Sequence, residues 1–138
     1  MVRVDVVFRD GGRQAQGMGR VVVTGAASAL GRRVTSLLAE RDDVGDVVAL
    51  DLRSGPGIDQ LDLVTADLSA AFAGATAVIH LASVFGPAVE GPEIEDAVEV
   101  AMARRVLAAA HEAGATRVVL LSTAMVYGAW ANNPVPLS

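Results

Sequence analysis

Lysine is absent from this chain, and all 11 of its basic residues are arginine. Chemistry that requires a lysine therefore cannot be completed by these 138 residues alone. Cysteine is absent as well, which excludes a disulfide framework and any thiolate-ligated metal. Aromatic residues make up only 4% and charged residues 20% of the chain, against 52% apolar. Positive charge is in deficit: the formal net charge is −5 and the pI is near 4.8. No excess positive field is available to replace the counterions of a nucleic-acid backbone, so nucleic acid is not an expected partner. The opening MVRVDVVFRD carries two aspartates and no long apolar core, so no secretion signal is recognisable and a cytoplasmic location is expected.

Charge is also missing over one internal stretch, the 22 residues from Leu68 to Val89. That length suffices to cross a bilayer. Ser69, Gly74, Thr76, His80, Ser83, Gly86 and Pro87 interrupt it, however, and β-branched residues concentrate in Thr76 to Ile79. A short helix, a buried strand and a loop account for this pattern, and no membrane span is expected.

What is present is an alternation of strand-like and helix-like segments. Arg20 to Thr24 predicts a first strand, Ala29 to Arg41 a helix, and Asp46 to Asp51 a valine-rich second strand. After the Gly55-Pro56-Gly57 loop, Leu61 to Thr65 predicts a third strand, Leu68 to Ala73 a short helix and Ala77 to Leu81 a fourth strand. Glu93 to Ala113 is the longest predicted helix, with Ile94, Val98, Ala101, Val106, Leu107 and Ala110 as its apolar positions and Gly114 as its stop. Arg117 to Ser122 completes a set of five core strands. The high apolar content suits strands covered on both faces, and the alternation predicts an α/β fold, a Rossmann-like doubly wound parallel sheet in the order 3-2-1-4-5.

Residues 1–17 differ from the rest: Val2 to Phe8 is strand-like, and Gly11 to Gly17 is polar and turn-rich. The preferred expectation is an N-terminal extension without a role in the fold, with the domain running over residues 18–138. The alternative is an added edge strand.

The turn Thr24-Gly25-Ala26-Ala27-Ser28-Ala29-Leu30-Gly31 places small residues where a pyrophosphate can approach backbone N–H groups at the positive end of a helix. Asp51 ends the second strand 20 residues beyond Gly31, where a carboxylate can accept from the adenosine ribose hydroxyls. An aspartate capping a strand end would look the same in isolation. The turn resembles the TGxxGxxG motif of extended short-chain dehydrogenases/reductases, specifically the NAD-dependent epimerase/dehydratase family. Gly25 and Gly31 match its outer glycines, and Ser28 replaces the middle one. That serine can lower affinity by adding a Cβ at the closest approach, or its hydroxyl can bond a phosphate oxygen.

The resemblance extends over nearly all of Arg20 to Gly128 and implies a cofactor site built from Gly25, Ser28, Ala29, Leu30, Gly31, Asp51, Leu52, Arg53, Asp67, Leu68, Leu81, Ala82, Ser83 and Ser122. Asp51 favours NAD over NADP, whereas Arg53 could accommodate a 2′-phosphate. Ala66-Asp67-Leu68 is similar to the family segment at the adenine, with Asp67 accepting from the exocyclic amine. Val78-Ile79-His80-Leu81-Ala82-Ser83 resembles the family's VxHLAA strand end along the cofactor, in which His80 is structural. His111, late in the long helix, can favour the helix dipole when protonated.

Val118 to Gly128 resembles the family's fifth strand and SSxxVYG loop, which makes Thr123 the catalytic hydroxyl that bonds the reacting oxygen of the substrate, with Ser122 before it. A Ser/Thr pair satisfying backbone groups at a strand end is the plain alternative. The family's Tyr-x-x-x-Lys pair is missing: the sole tyrosine, Tyr127, belongs to the VYG segment and is followed four residues later by Ala131. The family's helical asparagine aligns with Glu99.

The resemblance therefore implies the NAD-binding portion of an epimerase/dehydratase, truncated after the fifth strand and not catalytically competent alone. In a full-length relative the substrate would be a nucleotide sugar or another hydroxyl-bearing molecule. The alternatives are a non-catalytic dinucleotide-sensing module and half of a split enzyme. A sheet ending at the fifth strand would leave that edge unpaired beside the apolar Ala129-Trp130-Ala131, which predicts self-association or a partner polypeptide there.

Overall fold

The computed structural model describes residues 3–7, 18–84 and 92–122. They form six strands and three helices: β1 (Arg3–Val7), β2 (Met18–Thr24), α1 (Ala29–Ala39), β3 (Val44–Asp51), β4 (Asp59–Gln60), α2 (Ser69–Phe72), β5 (Ala75–His80), α3 (Pro92–Glu112) and β6 (Arg117–Leu121). The sheet order is β1-β6-β5-β2-β3-β4. Within it, β4-β3-β2-β5-β6 are parallel neighbours, which is the expected 3-2-1-4-5 arrangement of five core strands.

Side-chain alternation along the strands explains why both faces are covered. Val21, Val22 and Val23 of β2 are each fully buried. Val22 packs with Val48, Leu50, Val78 and Val118 against α2 and α3, through Phe72, Met102, Val106 and Ala110. Val21 and Val23 point the other way, with Ala77, toward Leu38 and Val34 of α1. A strand with helices on both sides has no polar face, so its sequence reads as a continuous run rather than an alternating one. On α3 the buried positions are Met102, Val106, Ala109 and Ala110, while Leu107 is 38% exposed. The apolar stripe is thus deepest at Val106 and Ala110, as expected, and also includes Met102 and Ala109, which were not among the expected positions. Gly114, at φ +75°, ends this helix: its N–H bonds the carbonyl of His111, and the N–H of Ala115 bonds that of Ala110. This double closure needs a left-handed residue at the first position past the cap residue, Ala113.

Two expectations are corrected. The third core strand is Asp59–Gln60, paired with Leu50 and Asp51, and Leu63 to Thr65 form a turn. The cause is Asp62, whose carboxylate accepts from Val64 N at 2.8 Å and Thr65 Oγ1 at 2.7 Å. Such local side-chain bonds give the backbone an alternative to the sheet ladder.

The N-terminal segment also has a place in the fold. β1 lies antiparallel to β6, from Arg3 opposite Leu121 to Val7 opposite Arg117. The less favoured alternative, an added edge strand, is the one observed for Arg3–Val7. The fifth-strand edge that was expected to stand open is consequently paired along its length. Ala129 to Ala131, on which the same expectation rested, lie outside the described residues. No helix among the described residues is long and apolar enough to cross a membrane.

The topology fixes where a ligand would sit. β2 has β3 on one side and β5 on the other, so the chain reverses its direction of strand addition between them. In parallel sheets of this kind the crevice beyond the carboxyl ends of the strands, at that reversal, is the binding site.

Candidate functional site

At the carboxyl end of β2 the backbone turns directly into α1. Gly25 adopts φ +73°, and a Cβ there would stand 2.5 Å from Ala82 N and 2.6 Å from Leu81 C. Conformation and close approach both demand glycine. Gly31 is required for a different reason: in the first turn of α1, a Cβ would meet the Gly25 carbonyl and come within 2.7 Å of Ala26 Cα. The helix start is therefore packed onto the loop, with Ala26 N bonded to Leu50 O and Leu81 N to Thr24 O, each at 3.1 Å.

Ser28 is the N-cap of α1 in extended geometry. Its hydroxyl donates to Gly25 O at 2.8 Å and accepts from Gly31 N at 2.9 Å. The single hydroxyl proton is thus committed to the loop's own backbone, which makes Ser28 a cap. The N–H groups of Ala29 and Leu30 follow it in the first helical turn, where the helix itself provides no acceptors. Leu30 is 43% exposed. This is the positive end of a helix dipole with free donors, the ordinary requirement for an anion such as a pyrophosphate.

Asp51 closes the adjoining wall. Its side chain is buried at the end of β3, with Oδ2 accepting from Ala27 N and Oδ1 from Arg53 N, both at 2.9 Å. The carboxylate therefore ties the glycine turn to the strand end, and each oxygen keeps a further lone pair. The Arg53 guanidinium stands 3.5 Å from Oδ1 and is 70% exposed, a loose surface pair. Leu52 is 65% exposed beside it.

Asp67 is exposed before α2, and its Oδ1 accepts from Ser69 N at 2.9 Å. That backbone bond, joined by one from the Ser69 hydroxyl, holds its carboxyl below the ordinary value. Leu68 is in the core, so only its backbone is available to a ligand. After β5, Leu81 and Ala82 are half-buried against the glycine turn and Ser83 is exposed. Ser122 follows β6 and is half-buried. Thr123, Tyr127 and Trp130 lie outside the described residues.

His80 is buried, with Nδ1 2.6 Å from Thr24 Oγ1. Burial pushes its pKa down, opposed by the negative charge of Glu99. A neutral imidazole pinning two neighbouring strands is a structural element.

Sequence reasoning overlooked Arg105 and undervalued Glu99. Arg105 donates from Nε to Leu63 O at 2.9 Å and from a terminal nitrogen to Ala66 O. Glu99 Oε1 accepts from Ser83 Oγ at 2.5 Å and Val84 N at 2.6 Å. The only signal was Glu99 between two valines, Val98 and Val100, and Arg105 had none. Their partners, two loops far away in the chain, leave no trace in the local sequence.

A reversal crevice, a glycine turn opening a helix and an acid at the next strand end define a dinucleotide-binding domain of the Rossmann type. A sequence profile of the NAD dependent epimerase/dehydratase family matches residues 21–136, and the chain belongs to that family. Among solved structures it is similar to MoeE5 in complex with UDP-glucuronic acid and NAD, at 31% identity and TM-score 0.70 over 80% of this chain and 38% of that one. A short-chain dehydrogenase/reductase superfamily protein from Agrobacterium tumefaciens with bound NAD matches at 34% identity and TM-score 0.69, over 79% of this chain and 34% of that one. The Bordetella bronchiseptica enzyme WbmG in complex with NAD shares the fold at 24% identity and TM-score 0.69, over 90% of this chain and 43% of that one. This chain thus spans less than half the length of each. No curated protein matches the sequence.

Proposed function

We propose that residues 18–138 form the NAD-binding portion of an oxidoreductase of the epimerase/dehydratase type, acting in the cytoplasm on a nucleotide sugar or a similar hydroxyl-bearing substrate. The observation that carries this reading is the Ala27 N to Asp51 Oδ2 bond of 2.9 Å. It sets a carboxylate against the turn that presents the Ala29 and Leu30 donors, so a ribose acceptor and a pyrophosphate site adjoin. The pyrophosphate would rest on the start of α1, the adenosine ribose on Asp51, and the adenine beside Asp67 and Leu52. The other half of the cofactor would run along Leu81, Ala82, Ser83 and Ser122. Bound there, NAD would supply a hydride acceptor able to return what it takes.

The chain's own contribution to the chemistry would be the Thr123 hydroxyl, donating a hydrogen bond to the reacting substrate oxygen. The family's proton-transfer pair is another matter, since no lysine is present and Tyr127 is followed four residues on by Ala131. A positioned general acid/base contributes about 10²–10⁴-fold in rate, so these residues bind and orient without completing turnover.

Asp51 would repel a 2′-phosphate, and the Arg53 guanidinium is only loosely held. Calorimetry with NAD and NADP tests the assignment. Tighter binding of NAD is expected, with the preference abolished in Asp51→Asn. Tighter binding of NADP by the unaltered protein would place Arg53 in control and overturn it.

A further inference from the structure

Glu99 and Arg105 lie on α3 but act on loops at opposite sides of the crevice. Arg105 bonds the carbonyls of Leu63 and Ala66, in the segment between β4 and α2 that ends at Asp67. β4 lies beyond β3, on the side where Asp51 marks the adenosine half of the site. Glu99 bonds Ser83 Oγ and Val84 N, just after β5, on the other side of β2. The two residues are six positions apart, about 9 Å along the helix axis. Met102, between them, and Val106, Ala109 and Ala110, just beyond Arg105, fix that helix in the core. We propose that α3 is a brace for both halves of the dinucleotide crevice, with Arg105 positioning the adenosine-side loop and Glu99 positioning the loop that faces the nicotinamide half.

The proposal rests on the dinucleotide-binding reading above and adds to it a division of labour. Both bonded segments are irregular backbone, and a loop that is not held samples conformations it must give up on binding. A fork of guanidinium donors suits two carbonyls of one turn, and neither ligand atoms nor other side chains are needed for it. A carboxylate oxygen accepting from a hydroxyl and an amide in succession likewise holds the exit from β5, whose Ala82 backbone already abuts Gly25. The glycine turn, the β5 exit and α3 are thereby in one mechanical connection. Neither residue would be catalytic, because each would act through the backbone it holds.

The separable prediction uses two ligands, NAD and ADP, which share the adenosine and pyrophosphate but differ in the nicotinamide nucleoside. Arg105→Ala should weaken NAD and ADP by the same factor, about tenfold for a pair of charge-assisted hydrogen bonds worth ~1.4 kcal/mol. Arg105→Lys, which keeps the charge and one bond, should recover part of the loss and carries the test where the alanine variant does not fold. Glu99→Ala should lower the ratio of NAD to ADP affinity about tenfold, with Glu99→Gln intermediate, since its amide oxygen still accepts. Calorimetry reads both ligands: at Glu99 a merely structural role would not move their ratio, and at Arg105 the partial recovery by lysine separates positioning from loss of fold. Equal loss of both ligands in the Glu99 variants, no loss in the Arg105 variants, or loss of NAD alone in the latter would overturn the brace. Unaltered protein binding neither ligand would instead overturn the dinucleotide-binding reading itself, and the brace with it.

Discussion

At the scale of single residues, the two matched glycines have distinct causes. Gly25 answers to a left-handed turn against the β5 exit, whereas Gly31 answers to helix packing on the loop. The middle position tolerates serine because its side chain turns back to cap the helix, a contribution of about 1 kcal/mol relative to alanine. The motif was legible in the sequence, but the direction of the Ser28 hydroxyl was not, since a cap and a phosphate ligand use the same atom. His80 is a comparable case with a pH signature. Its pKa in the folded chain is lowered from 6.5, first by burial and against the pull of Glu99. The unfolded chain therefore binds the proton more readily, so the stabilisation is complete above 6.5 and is lost as pH falls through the lower folded value. Thermal midpoints measured from pH 8 to pH 5 should decline below about 6.5, and His80→Asn should flatten that part of the profile. Asp62 and Asp67, whose pKa values are also lowered, start from 3.8 and act in a more acidic window. An unchanged slope in the His80 variant would show that the imidazole carries no such linkage.

At the scale of elements, the helices and most strands were legible because their signals are local: valine runs, a capped helix start, and Gly114 past the end of α3. The third core strand was misplaced by a few residues for an equally local reason that hydrophobic pattern conceals. Leu61, Leu63 and Val64 look like strand positions, yet Leu63 is buried in the core from within a turn. Asp62 decides the matter by accepting from Val64 N and Thr65 Oγ1 while its own carbonyl takes the N–H of Ala66. Ala66 is also an acceptor for Arg105, so the Asp62 turn presents the adenosine-side loop to its clamp. Asp62→Ala should destabilise the protein by about 1 kcal/mol, the usual worth of lost side-chain-to-backbone bonds. Amide exchange should accelerate at Val64 and Ala66 while protection in β2 is retained at Val22. Uniform loss of protection, or none, would show that the turn is not an independent unit. Arg105 itself was beyond sequence reasoning, because its acceptors are carbonyls 42 and 39 residues away, and every residue type provides a carbonyl.

At the scale of the whole molecule, the parallel order of the five core strands follows from alternation and handedness, but the closure of the sheet does not. β1 pairs with a strand more than a hundred positions away in the chain, from Arg3 opposite Leu121, and a short valine-rich segment carries no mark of its partner. An antiparallel strand at the border of a parallel sheet is a common ending, and here it covers the donors and acceptors of β6. That pairing alters the expectation of association through the fifth-strand edge, because the edge becomes available only when β1 leaves. The consequence can be tested by removing β1 without touching the crevice. Deleting residues 1–10, or placing proline at Asp5 in the middle of the strand, should expose the β6 backbone, since proline cannot donate to a ladder. An unpaired edge is a template for another chain, so sedimentation should show concentration-dependent association in both variants and less of it in the unaltered protein. Amide exchange at Val118 to Leu120 should rise at low protein concentration and fall again as the variants associate. Variants that sediment as the unaltered protein does, with β6 amides equally protected, would show that β1 does not guard this edge.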